Sequence, residues 1–175
     1  AIATHAARTI LSHYPGLADD NGNKEVVPGL LPLVERLDSI LNESEMQSED
    51  LELNGEEHRR MGELFHAVDR KMRASDFYQR AHYLSAEDAD ALRSLAAIHR
   101  EEGDIEALDR TLERLLVVEP DEAAVLKEQA LLLAGTDDER TERNKLRLEA
   151  IGVEFDTTLA QTDISEIVHR AREVN

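Results

Sequence analysis

Residues 89–122 read ADALRSLAAIHREEGDIEALDRTLERLLVVEPDE, two helical apolar patterns joined by one turn. Leu92, Leu95, Ala96 and Ile98 form the first pattern. Ile105, Leu108, Leu112 and Leu115 form the second, at the three- and four-residue intervals that mark one face of a helix. Gly103-Asp104 separates them. Glycine can take the left-handed conformation that closes a helix, and the aspartate can cap the exposed amides that open the next. Pro120, which cannot continue a helix, closes the unit.

The same columns recur 34 residues away on either side. Gly62 returns as Ala96 and Ala130, Tyr78 as Leu112 and Leu146, and Ala81 as Leu115. A period of this length predicts paired helices, each pair too small to bury its own apolar face and therefore stacked on its neighbours. In the preceding unit Met61, Leu64, Phe65 and Val68 mark one helix and Phe77, Tyr78, Ala81 and Leu84 its partner. Ser85-Ala86-Glu87-Asp88 then signals the next start. A third unit opens at Ala123 with Leu126, Ala130 and Leu133. Its turn is degenerate: Thr136-Asp137-Asp138-Glu139 reads as a capping box opening a charged helix to about Ala150, in which Glu149 falls in the column of Ala81 and Leu115.

Outside the repeats, Ile2, Ala6, Ile10 and Tyr14 form a stripe at intervals of four that stops at Pro15-Gly16, and residues 16–27 read as a polar loop. Leu30, Leu33, Val34, Leu37, Ile40 and Leu41 form the apolar face of a second helix, with Pro28 and Pro32 near its first turn. Residues 42–54 are acidic and sparse in apolar groups, which predicts a mobile linker. After Gly152, a last helix with Ile164, Ile167, Val168 and Ala171 on a narrow face is expected to cap the array. The expected organisation is thus partial repeat-like helices and an acidic linker over 1–54, repeats at 55–88, 89–122 and 123–152, and a capping helix over 153–175.

Composition narrows the class. Aromatics are 3% and Trp is absent, so the core must come from Leu, Ile, Val and Ala, and no alternating strand pattern stands out. The 38 Asp and Glu outnumber 20 Lys and Arg for a formal charge of −18, which argues against nucleic acid and anionic membranes, since phosphate binding needs local cation density. Cysteine is absent, removing disulfides, thiolate metal sites and a cysteine nucleophile. No apolar run approaches the roughly 18 residues of a membrane span, so direct membrane insertion is not expected. The reading favours the cytoplasm and leaves the periplasm open.

The columns resemble the tetratricopeptide repeat. Leu92, Leu95, Ala96, His99, Gly103, Leu112, Leu115, Val118 and Pro120 fall at its signature positions, although His99 replaces the usual aromatic and Leu108 a usual small residue. The unit at 55–88 matches through Gly62, Phe65, Ala74, Tyr78, Ala81 and Leu84, but has Asp69 in place of the turn glycine and Ala86 in place of proline. The third unit matches in its first helix, and Ala3, Ala7, Ile10 and Pro15 look like the second helix of a further repeat. The resemblance implies an all-α, right-handed α-α superhelix of about three helical hairpins with irregular flanking helices, and a protein-binding role without catalysis.

It also implies where a partner sits, because the first helix of each hairpin in this family lines a concave groove. By register the fifth position of each unit gives Arg59, Arg93 and Lys127, with Glu63, His66, Ala97 and Arg100 further along the same helices. One reading is a cationic track for an acidic peptide or a terminal carboxylate. The other is that these cations pair with Glu63, Glu101 and Glu128 and keep the groove wet, exposed pairs being worth little. The family's Lys/Asn carboxylate clamp is not reproduced: Glu63, Ser94 and Glu128 stand at its positions.

No phosphate loop, nucleophile elbow, zinc helix or dinucleotide turn occurs, and His58 and His66 are eight residues apart where a helical metal pair needs four. The expectation is therefore no enzyme, no cofactor and no metal. The chain reads as a scaffold for a protein or peptide partner, with an acidic one among the candidates. The alternatives are a docking or regulatory segment of a larger enzyme or secretion machine, and a self-associating structural module. Oligomeric state is left open.

Overall fold

The computed structural model describes residues 2–13 and 30–155. Among them every long element is helical: α1 (Ile2–His13), α2 (Leu30–Glu43), α3 (Gly55–Ala67), α4 (Lys71–Leu84), α5 (Ala89–Glu102), α6 (Ile105–Val118), α7 (Ala123–Leu133) and α8 (Asp138–Ala150), with one 3-10 turn at Ser48–Asp50. The first helices α3, α5 and α7 begin at residues 55, 89 and 123, and the second helices α4 and α6 at 71 and 105, so the 34-residue spacing is a spacing of helix starts. Packing divides the chain into two units, Ala1–Ser94 and Leu95–Asn175, and the division falls inside α5. The predicted helix over 153–175 and the loop over 16–27 lie almost wholly outside the described residues.

In the first unit, α3 starts on a reciprocal cap. Asn54 Oδ1 accepts from the Glu57 amide and Glu57 Oε2 accepts from the Asn54 amide, both at 2.8 Å. Burial pushes the Glu57 carboxyl up, but the Asn54 amide and Arg8 outweigh it and hold it below the ordinary glutamate range. The α3–α4 turn closes through Arg70 N–H to Phe65 O at 2.8 Å and Asp69 N–H to His66 O at 3.0 Å, with Asp69 at φ 58°. Thirty-four residues on, in the second unit, Asp104 N–H bonds to His99 O at 3.0 Å and Gly103 N–H to Arg100 O at 3.2 Å, with Gly103 at φ 69°. The two turns have one bonding pattern, and Asp69 adopts the conformation that glycine supplies in the other.

The α3–α4 core is Met61, Leu64 and Phe65 against Ala74, Phe77, Tyr78 and Ala81, with the Phe65 and Phe77 rings stacked at 5.3 Å. Leu84, expected on that face, is exposed at the helix end. In α1 the helix is as expected but the face is rotated: Ala3, Thr4, Ala7, Ile10 and Leu11 are buried and Ile2 is exposed. The positions chosen for their repeat resemblance, Ala3, Ala7 and Ile10, are thus the packed ones. In α2, Val34, Leu37 and Leu41 are buried while Leu33 faces out.

Residues 42–54 differ from the expected mobile linker. Leu51 and Leu53 are buried, as is Ser48, whose amide and hydroxyl donate to the two oxygens of the Asp76 carboxylate at 2.9 and 2.8 Å. Arg73 reaches Asp38 Oδ1, Met46 O and Asn42 Oδ1 at 3.2, 3.3 and 2.6 Å, and His58 Nε2 meets Ser48 O at 3.0 Å. Few apolar groups suffice because polar side chains of α3 and α4 receive the segment's backbone.

In the second unit Asp104 caps α6 through the Ala107 amide at 2.9 Å, and α6 buries Ala107, Leu108, Thr111, Leu112, Leu115 and Leu116. α8 departs from the expected register. Its cap is Asp137, which accepts from the Arg140 amide at 3.1 Å, and Thr136 bonds back to Leu133 O, so the expected box shifts by one residue. The helix starts 33 residues after α6, and the buried columns Ala74-Leu108 and Ala81-Leu115 continue as Thr141 and Leu148. Leu146, expected to follow Tyr78 and Leu112, is 64% exposed, whereas Leu148 is 0% exposed. The shortened turn also resolves the misplaced Glu149, which lies on the exposed side.

Candidate functional site

The residues predicted to face a partner sit on the first helices of the hairpins. In the first unit, Arg59 on α3 is enclosed by carboxylates. Its NH2 lies 2.7 Å from Glu56 Oε2, its NH1 2.5 Å from Glu63 Oε1 and its Nε 3.9 Å from Asp88 Oδ2. Desolvation alone pulls its pKa down, but Glu56, Glu63 and Asp88 together raise it above the ordinary arginine value. Glu63 and His66 are half-buried one and two turns along. Arg93, at the corresponding position of α5, is exposed and lies 3.0 Å from Asp90 Oδ1.

In the second unit, Arg100 on α5 makes a two-point contact with Glu128 on α7, Nε to Oε1 at 2.7 Å and NH2 to Oε2 at 2.8 Å. That contact, opposed by burial, raises the Arg100 pKa. Ala97 and Lys127 are half-buried on α5 and α7. Of the carboxylates expected to neutralise the cations, Glu63 contacts Arg59, Glu128 contacts Arg100 and Glu101 adds its electrostatic pull on Arg100, and Glu56, Asp88 and Asp90 join them. The side chains therefore present alternating ion pairs on these helices. Sequence spacing shows which cations recur; it does not show that Arg59, Arg93 and Arg100 each meet a carboxylate, because that depends on rotamers and on the neighbouring helix.

Sequence reasoning missed a buried polar chain in the second unit. Gln129 and Asn144 are both 0% exposed: Gln129 Nε2 donates to Asp109 Oδ1 at 2.9 Å, and Asn144 Nδ2 donates to Gln129 Oε1 at 2.9 Å. Arg140 grips the same Asp109 carboxylate with NH1 and NH2 at 2.8 and 3.0 Å. Asp109, Gln129 and Arg140 come from three successive helices, so this chain ties α8 to α6 and α7 where apolar side chains are few. The available signal was Gln129 beside the packing position Ala130, a polar residue adjoining a core column. Among the described residues no group of three His, Asp or Glu side chains converges as a metal site, and no helix is long and apolar enough to cross a membrane.

The recurrent hairpins and their matched turns define a tetratricopeptide-like helical-repeat fold. No family model matches the sequence, and no curated protein matches it. Nineteen solved chains match by structure. One of them, titled "Crystal structure of MamA", shares 15% identity with a TM-score of 0.47 over 85% of this chain and 88% of that one.

Proposed function

We propose that this chain is a protein-binding module whose first helices receive a peptide or partner protein. The observation that carries this reading is the display of solvent-reachable charges on those helices, the arginines among them ion-paired: Arg59, Glu63, His66 and Arg93 in one unit, and Arg100 and Lys127, with the small Ala97 on α5, in the other. Exposed ion pairs contribute about 0–1 kcal/mol, so a partner's carboxylate or ammonium can replace the intramolecular counter-ion at small cost. Recognition then rests on charge pattern, with both signs present on the protein side. Site-specific photocrosslinking tests this. A photoreactive side chain at position 63 or 97 should yield a discrete protein adduct in cells, and one at the buried position 126 should not. Adducts equal at all three positions, or at none, count against the module.

A further inference from the structure

Helix α4 has a second exposed face. Met72, Gln79 and Tyr83 recur at intervals of seven and four residues, which places them on one stripe, and all three are exposed, Met72 at 87% and Tyr83 at 75%. Asp76 lies on the same stripe, but its carboxylate is turned to the Ser48 amide and hydroxyl. Arg80 borders the stripe with its guanidinium carbon 4.9 Å from the centroid of the Tyr83 ring. Arg80 has no carboxylate within ion-pairing distance among the described residues, and its Nε is sealed from solvent without an acceptor. Arg59, Arg73, Arg93 and Arg100 each have a carboxylate partner.

We infer that this face of α4 is a docking surface for an acidic amphipathic segment of a partner protein. Three features select that occupant. Tyr and Arg are the side chains that most often anchor interfaces, and here stacking against the ring holds the guanidinium in place before binding. Met72 adapts its shape to an apolar side chain about three turns away from Tyr83, the reach of an amphipathic helix. A carboxylate of the partner supplies the counter-charge that Arg80 lacks, while the chain's overall formal charge of −18 disfavours the same partner elsewhere. The inference rests on the protein-binding reading above, and it moves the acidic-partner preference from the first helices, whose arginines Arg59, Arg93 and Arg100 already have carboxylate partners, to the second helix of the first hairpin.

The experiment uses the full chain and two synthetic amphipathic peptides of about five turns, one with Glu and one with Lys on the polar face and the same Leu positions. Amide chemical-shift mapping and titration should show the Glu peptide binding at residues 72–83 and the Lys peptide not binding there. Arg80→Glu and Tyr83→Ser should each weaken binding by about tenfold or more at unchanged melting temperature, and Arg110→Glu, an exposed cation of α6 outside both surfaces, should leave it unchanged. Because Tyr83 is largely exposed, its substitution keeps the test valid if Arg80→Glu perturbs folding. Binding that is lost in Arg59→Glu but kept in both α4 variants overturns the α4 site and leaves the module reading in place. Equal binding of the two peptides, or none by the Glu peptide, overturns the acidic occupant. Concentration-dependent self-association abolished by Tyr83→Ser also overturns it, in favour of a second copy of this chain.

Discussion

The Tyr78 ring lies across Gly62, so close that a Cβ on Gly62 would stand 2.7 Å from two ring carbons. The ring cannot retreat, since Tyr78 is 1% exposed within the Phe65, Phe77 and Ala81 core. The following unit has Ala96 and Leu112 in the two positions, a larger first-helix residue opposite a smaller second-helix one. The pair is a matched exchange of volume.

Gly62→Ala is expected to destabilise the chain by about 1–3 kcal/mol, the range of overpacked cores. Tyr78→Leu, which restores the pairing found at Ala96 and Leu112, should recover part of that loss in the double variant, even though Tyr78→Leu alone costs packing. Chemical denaturation of the two single variants and the double variant measures the coupling. Additive losses would show that the ring is not the obstacle.

Asp69 is held at φ 58° where Gly103 is held at 69°. A left-handed non-glycine residue costs roughly 1–2 kcal/mol, less for Asp, so Asp69→Gly should stabilise by about 0.5–1 kcal/mol despite the freer unfolded chain. A rise in melting temperature is the readout, and Gly103→Asp should lower it. A neutral pair of results would mean that the local backbone relaxes.

The sequence made the hairpins legible because their columns are apolar and their turns carry Gly103 and Asp104. It misled at α8, where the inner face is Thr141, Asn144 and Leu148 and polar residues leave no periodic signal. It misled again at residues 42–54, where burial of Ser48 depends on Asp76, far away in sequence. Arg59, Arg93 and Lys127 stand at the fifth position of α3, α5 and α7, yet which of them meets a carboxylate is a matter of side-chain geometry that spacing does not encode.

The register of α8 is directly measurable. Leu148→Ala removes a fully buried side chain and should cost about 2–5 kcal/mol, whereas Leu146→Ala should fall within about 0.5 kcal/mol. The unbroken 34-residue period predicts the reverse for Leu146. Equal losses at both positions would require the helix to sample both registers.

The segment before α3 supplies the last test, because its order depends on a few polar contacts. Asp76 accepts two hydrogen bonds from Ser48 in a partly buried setting, and hydrogen bonds to charged groups contribute about 1.5–3 kcal/mol each where they are shielded. Those contacts hold a segment that would otherwise lack apolar anchors until Leu51. In the wild-type chain, limited proteolysis should therefore spare residues 48–54, with any cut in this region falling at the exposed stretch 43–45. Asp76→Ala should release Ser48 and allow cleavage through residue 50, while the helices of the hairpin remain protected by the Phe65–Phe77 stack. Asp76→Asn offers a single carbonyl acceptor and should give an intermediate cutting rate. Mass mapping of the early fragments reads the outcome, and early cleavage at 48–50 in the wild type would return the segment to the mobile linker that its composition suggests.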